Sequence, residues 1–249
     1  MKKKIKTVVI AEAGVNHNGN INLALKLVDV AAKAHADYVK FQTYSTGDLV
    51  QKKVGLAKYQ KKNSNKISSQ YKLLKKFELS EQDHLKIINR CKRKKIKFLS
   101  SPFDIKSIEL LKKFKLNLLK IPSGEITNVP YLKKIGALKK KIIVSTGMSD
   151  MKEVKNAIKI LTSSGTKKKN ITVLHCSSEY PANEDNLNLL SIPYLKKKLK
   201  LNVGYSDHSS GLQASFTAVA LGAKVIEKHF TTNKKLSGPD HKASISPEE

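Results

Sequence analysis

Polar residues gather in short runs, each directly after a short β-branched or apolar run. They are Glu12 with Asn16-His17-Asn18-Gly19; Lys40 and Gln42; Ser100-Ser101-Pro102-Phe103; Lys120, Ser123, Gly124 and Glu125; Ser145-Thr146-Gly147; His175, Ser177, Ser178, Glu179 and Tyr180; Ser206-Asp207-His208; and Glu227-Lys228-His229. Three chemistries can be built from them. Lys40 and Lys120 stand in apolar surroundings, where a cation needs an anionic partner. Ser101, Ser123, Ser145 and Thr146, with glycine-containing turns, have the composition of a phosphate or carboxylate cradle. The plain alternative is a lysine paired with Glu12 or Glu125. His208 and His229 follow two successive apolar runs and can share a divalent metal that keeps positions open for water or substrate. Glu12 and Glu125 can orient hydroxyls or move a proton, and Asp207 and Asp240 are further carboxylates. Of the other histidines, His175 reads as a packed core residue, and His35 and His84 as helix-surface residues. His17 reads as a loop residue that binds a ligand or caps a helix.

Such residues need rigid elements behind them. The runs predict eight strands: Thr7–Ala11, Tyr38–Gln42, Lys97–Ser101, Leu118–Ile121, Lys141–Ser145, Thr172–His175, Asn202–Tyr205 and Lys224–Glu227. Most intervals carry helix signals. Asn22–His35 has apolar residues at helical spacing. Ser80 with Asp83 starts a helix over 81–95, and Val129-Pro130 opens a short one. Asp150 precedes 151–164, and Ser209 precedes 210–221. Alternating strands and helices imply parallel pairing through right-handed crossovers. The expected class is α/β, a (β/α)8 TIM barrel, whose strand ends converge on one rim where active sites lie. A doubly wound sheet is the rival, but Glu12–Asn20 lacks G-x-G-x-x-G. Residues 44–80 form a long connection, the signature of a lid, a binding loop or a partner contact. Ser246-Pro247-Glu248-Glu249 reads as a helix start. The barrel is therefore expected to be truncated at the start of its last helix.

A chain of 249 residues, 40% of them hydrophobic, can bury one large core. Cys91 and Cys176 make no disulfide framework, which points to a reducing, cytoplasmic setting. No run of about 18 apolar residues exists to span a membrane, and the basic start at Met1–Lys4 is followed by a strand rather than a signal-peptide core. The net charge of +28 is scattered in lysine pairs and triplets such as 61–62 and 196–198, with no Trp and no RNA-binding signature. It therefore reads as a solvated surface that attracts anions, with no nucleic-acid partner.

Nine motifs in chain order closely resemble the sialic acid (N-acetylneuraminate) synthase family, in its N-terminal barrel domain. They are Ala11–Gly19, Lys40-Phe41-Gln42-Thr43, Ser101-Pro102-Phe103, Lys120–Glu125, Ser145-Thr146-Gly147-Met148, His175-Cys176 with Tyr180-Pro181, Gly204–His208, Glu227–Thr231 and Gly238–Ser244. The resemblance covers essentially the whole chain. It implies a transferase that condenses phosphoenolpyruvate with an N-acetylated hexose, typically N-acetylmannosamine, releases phosphate by C–O cleavage and uses Mn²⁺ or Mg²⁺. His208 and His229 would be the metal ligands. Lys40, Ser101, Lys120, Ser123 and Ser145 would hold phosphoenolpyruvate. Glu12, Gln42, Tyr180 and Asp240 would bind the sugar or support its pocket, and Glu125 would move a proton beside the reacting carbons. Ser178 stands where some members have Asn, so it belongs to the substrate-binding set and touches on sugar choice. The Asp240–Ser244 run looks more like the sialic or legionaminic branch than the pseudaminic one, so a 2,4-diacetamido-6-deoxymannose is the alternative acceptor. The family carries a C-terminal antifreeze-like domain, not found in this chain, that in a homodimer lends an arginine to the partner's sugar site.

Two other readings are weaker. A barrel condensing phosphoenolpyruvate with a phosphorylated sugar would need a second basic pocket, yet the two arginines, Arg90 and Arg93, both fall on one helix. A non-catalytic basic binding protein would have no need of Glu12, Lys40, Lys120, Glu125, His208 and His229 together.

Overall fold

The computed structural model describes residues 6–55 and 69–249. The basic start at Met1–Lys4, the lysine pair at 61–62 and the middle of the long connection lie outside the described residues. Eight strands form one hydrogen-bonded series: β1 (Val8–Gly14), β2 (Tyr38–Thr43), β3 (Lys97–Pro102), β4 (Leu118–Ile121), β5 (Lys141–Ser145), β6 (Ile171–Cys176), β7 (Asn202–Asp207) and β8 (Val225–His229). Their order is β3-β2-β1-β8-β7-β6-β5-β4. Every pair with a defined register is parallel. Parallel strands alternating with helices in this series make the predicted (β/α)8 barrel. All eight predicted strands are present. Most run one to three residues further toward their carboxyl ends, so Gly14, Thr43, Asp207 and His229 belong to strands.

The helices are α1 (Ile21–Lys33), α2 (Thr46–Leu49), α3 (Gln70–Phe77), α4 (Glu81–Arg93), α5 (Ile105–Lys113), α6 (Val129–Ala137), α7 (Met151–Ser163), α8 (Ser191–Leu199) and α9 (Gln213–Ala220). The predicted starts of α4 and α7 are both capping boxes, Ser80 with Asp83 and Asp150 with Glu153. Such reciprocal pairs satisfy two of the amides a helix start leaves open. Helix α6 has Pro130 in its first turn behind the Asn128 cap. Helix α9 corrects the sequence reading: it starts at Gln213, not after Ser209. The Ser209 hydroxyl is instead held by Asp207. The Ser246–Glu249 stretch makes one cap-like bond, Ser246 N–H to Glu249 Oε2 at 2.7 Å, but is not helical.

The chain divides into two compact units. One comprises 1–10 and 121–228, the other 11–120 and 229–249. In the second unit β1, β2, α1 and α4 share a core of Ala13, Leu27, Val28, Val39, Phe41, Ile87 and Cys91. Both Arg90 nitrogens Nε and Nη2 grip the Asp29 carboxylate, tying α4 to α1. In the first unit β5, β6 and β7 bury Ile142, Val144, Val173, Leu174 and Val203. Gly204 on β7 is a close approach: a Cβ there would stand 2.3 Å from the Val225 carbonyl and 2.6 Å from Leu174 Cδ2. The β8 backbone cannot step aside without breaking the ladder. Gly204→Ala should therefore destabilise the fold by about 1–3 kcal/mol or more, read as a lower urea midpoint at unchanged slope.

Candidate active site

In the first unit the turn after β4 and the residues just after β5 and β6 bring Ser123, Gly147 and Ser178 together as a candidate cradle. Ser123 and Glu125 lie on a single 3-10 turn directly after β4. Gly147 follows β5 with φ +53°, and a Cβ on it would sit 2.5 Å from Ser123 Cβ, 2.8 Å from Ser123 Oγ and 3.1 Å from Ser178 Oγ. Its N–H donates to Cys176 Sγ at 3.2 Å. Ser145 Oγ is buried and has no hydrogen-bond partner among the described residues. A buried hydroxyl left open is costly unless a ligand completes it. Glu125 is half-buried, and its Oε2 accepts from Asn128 Nδ2 at 2.7 Å, which aims the carboxylate.

At the end of β7, His208 is held by its own carbonyl and ring. Its carbonyl accepts from Ala182 N–H at 2.8 Å. Its Nδ1 lies 2.6 Å from the Ser177 carbonyl. A carbonyl only accepts, so Nδ1 carries the proton and Nε2 presents its lone pair. That is the tautomer and anchoring of a ligating histidine. The Tyr180 hydroxyl donates to Nε2 at 3.0 Å while its ring stacks on the imidazole, centroids 4.1 Å apart. Tyr180 and Ser178 are exposed. Ser206 and Glu227 share a face of neighbouring strands, with Ser206 Oγ donating to Glu227 Oε1 at 3.0 Å. This buried pair had no role in the sequence reading, though its placement two residues before His208 and His229 was a signal.

In the second unit, β1, β2, β3 and the end of β8 bring Glu12, Lys40, Ser101, His229 and Asp240 into one neighbourhood. Lys40 Nζ lies 3.1 Å from Glu12 Oε1 and donates to Ser101 Oγ at 3.3 Å. The ordinary lysine–glutamate pairing thus holds for Lys40, in a setting where both groups are almost fully buried. Gln42 stands in register with Ser101 and is half-buried. Gly14 leaves a space that a Cβ would fill, 3.2 Å from His229 and 3.5 Å from Glu12 Oε1. Asp240 Oδ2 lies 3.9 Å from His229 Nδ1, and burial pushes the Asp240 carboxyl up to about 6. Lys120 is buried on β4.

Some sequence expectations are corrected. His84 is not a helix-surface residue. It is fully buried, Nδ1–H donating to the Ser80 carbonyl at 2.8 Å and Nε2 lying 2.8 Å from the Thr43 hydroxyl. That hydroxyl also lies 2.7 Å from Ser100 Oγ, so Ser100 serves the helix-packing face of the sheet. Asp207 and Lys228 likewise form a buried pair, at 2.8 Å, on the face opposite Ser206 and Glu227. His17 is buried and accepts from Gly19 N–H at 3.1 Å. His175 is packed as predicted, donating Nε2–H to the Leu187 carbonyl at 2.7 Å and stacking on Tyr205. Both cysteines are buried and neither forms a disulfide. No helix among the described residues is long and apolar enough to cross a membrane. No cluster of three or more His, Cys, Asp or Glu side chains suited to a metal occurs among the described residues.

His17 gives the fold an acid limit. Burial, then the neighbouring His84, lowers its pKa from 6.5 to about 4. The folded state therefore binds fewer protons than the unfolded one. The stability is full above pH 6.5 and drains away as pH falls toward 4, by about 3 kcal/mol in all. Urea midpoints measured at pH 7.5 and 4.5 should show this loss, and His17→Gln should shrink it. An undiminished pH slope in the variant would refute the assignment.

Residues 27–249 match the NeuB family. Over 244 residues the chain is 52% identical to an N,N'-diacetyllegionaminic acid synthase of Campylobacter jejuni, covering 98% of this chain and 73% of that protein. It is 47% identical to the enzyme of the same name from Legionella pneumophila, covering 97% of this chain and 68% of that protein. The solved N-acetylneuraminic acid (sialic acid) synthetase of Leptospira borgpetersenii, in complex with citrate, superposes with a TM-score of 0.86 at 35% identity, over 98% of this chain and 80% of that one. With a barrel of the same topology and a match over nearly its whole length, the chain belongs to the NeuB family of nonulosonic acid synthases.

Proposed function

We propose that the chain condenses phosphoenolpyruvate with a 2,4-diacetamido-6-deoxymannose and water, releasing phosphate and a legionaminic-type nonulosonic acid. The observation that carries the phosphoenolpyruvate half is the cradle of the first unit, where Ser145 Oγ is open and Gly147 lies against Ser123 and Ser178. The sugar half rests on the names of the two relatives at 52% and 47% identity. Condensation with N-acetylmannosamine is the second reading, supported by the likeness to the Leptospira synthetase.

In this reading Lys40, Lys120, Ser101, Ser123 and Ser145 hold the phosphate and carboxylate of phosphoenolpyruvate, making its encounter with the sugar effectively intramolecular. Glu12, Gln42, Ser178, Tyr180 and Asp240 hold the sugar. The C3 carbon of phosphoenolpyruvate bonds to the aldehyde carbon as water adds at C2, and Glu125 passes one proton of that water to the aldehyde oxygen, ending unchanged. The C2–O bond then breaks, phosphate leaves with the bonding pair, and the remaining proton of the C2 hydroxyl goes to the departing phosphate as C2=O forms. Mn²⁺ or Mg²⁺, held through His208 and His229, would supply Lewis-acid polarisation of the aldehyde oxygen. The tautomer of His208 fits that role, with Nε2 the atom that would bind the metal. Phosphate release should be measured with phosphoenolpyruvate, Mn²⁺ and each sugar in turn. Higher kcat/KM with the diacetamido sugar supports the first reading, higher kcat/KM with N-acetylmannosamine supports the second, and no release with either refutes both.

A further inference from the structure

The Asp207–Lys228 pair flanks the candidate metal ligands without belonging to the substrate site. Asp207 is 1% exposed and Lys228 7%. Every strong acceptor direction of the carboxylate is used. Oδ1 accepts from Ser209 N–H at 2.9 Å and from Ser209 Oγ at 2.6 Å. Oδ2 accepts from Ser215 Oγ on α9 at 2.6 Å and from Lys228 Nζ at 2.8 Å. Lys228 Nζ also donates to the Ser209 carbonyl at 2.8 Å.

Stability alone does not call for this arrangement. Two buried charges lose hydration, and apolar replacements of similar volume are often as stable or more so. What the charges add is direction. Asp207 and Lys228 are in-register partners at the carboxyl ends of β7 and β8, and both grip Ser209, so the turn 207–209 is fixed on either side of His208. The Ser209 position is further held by its bridge to Ala182. With the backbone so fixed, the His208 ring can meet the Ser177 carbonyl at 2.6 Å. On β8, strand alternation turns the residue after Lys228 to the opposite face, and that residue is His229.

We propose that Asp207 and Lys228 are positioning residues: a buried ion pair on the helix side of the sheet that sets the ring orientation and tautomer of His208. The consequence for metal binding rests on the reading of His208 as a ligand, whereas the consequence for the ring does not. Single variants risk leaving one buried charge uncompensated, so the decisive protein is the double variant Asp207→Asn/Lys228→Met, compared with the unaltered chain by thermal melting, Mn²⁺ titration and ¹⁵N NMR of the imidazoles. The expected result is a folded double variant whose His208 no longer shows a single Nδ1–H tautomer and whose Mn²⁺ affinity is about 10–100-fold weaker, the range of outer-shell partners. A double variant that keeps the His208 Nδ1–H signal overturns the proposal. If the unaltered chain binds no Mn²⁺, the metal reading falls, and the His208 signal in the double variant still decides the positioning claim. Should the double variant not fold, Lys228→Arg serves in its place: it keeps the charge but moves the donor, and an unchanged His208 signal there likewise overturns the proposal.

Discussion

Glu125→Gln is expected to lower kcat by about 10²–10⁴-fold, the usual effect of removing a group that moves a proton in the transition state. The carboxylate follows β4 on one rigid turn and is held at Oε2 by Asn128 at 2.7 Å. Glutamine keeps that shape: its carbonyl oxygen can still accept from Asn128, leaving an amide where a basic oxygen stood. The substitution therefore removes proton capacity with little change in packing. Phosphoenolpyruvate affinity and thermal stability should be unchanged. A variant retaining full kcat would remove Glu125 from the proposed chemistry.

Gly147→Ala is expected to cost phosphoenolpyruvate binding. With φ at +53°, any side chain at this position is strained by about 1–2 kcal/mol. The added carbon would also stand 2.5 Å from Ser123 Cβ, displacing the hydroxyl that the proposed cradle uses. The affinity for phosphoenolpyruvate, followed by titration calorimetry, should fall by about tenfold or more, since 1.4 kcal/mol is a factor of ten. Ser145→Ala is the informative companion. Its hydroxyl is buried and has no hydrogen-bond partner among the described residues, so its removal should leave the free protein as stable or more so while weakening phosphoenolpyruvate binding. A loss of stability with intact binding would mean that the hydroxyl serves the core.

The strands were legible because each is a short apolar run closed by polar residues, and the barrel followed from their alternation with helices. Helices α3 and α8 were not read, because their few buried residues, Leu73 and Phe77 in one and Ile192, Leu195 and Leu199 in the other, are embedded in lysine. Helix α5 carried a usable signal in its Asp104 cap with Ile108 and Leu111 on one face. Within the site, residue type showed which positions are polar but not which face each one takes. Ser100 and Ser101 are adjacent, yet one bonds toward His84 and the other toward Lys40. The same alternation separates Asp207 from Ser206 and Lys228 from Glu227. A polar run at a strand end thus mixes residues for the ligand with residues for the scaffold, and only the direction of each side chain sorts them. His84 was misread for the same reason: its polar partners, Ser80 and Thr43, lie on two different elements.

The central claim is that this barrel joins phosphoenolpyruvate to an amino sugar by breaking the carbon–oxygen bond of the phosphate ester. Phosphoenolpyruvate labelled with ¹⁸O in the bridging position, incubated with the chain, Mn²⁺ and the diacetamido sugar, tests it directly by mass spectrometry of the phosphate and the new sugar acid. The account predicts phosphate that retains the ¹⁸O, formed one for one with a nine-carbon ulosonic acid and only when the sugar is present. Phosphate without the label, phosphate released in the absence of sugar, or no phosphate at all would contradict it.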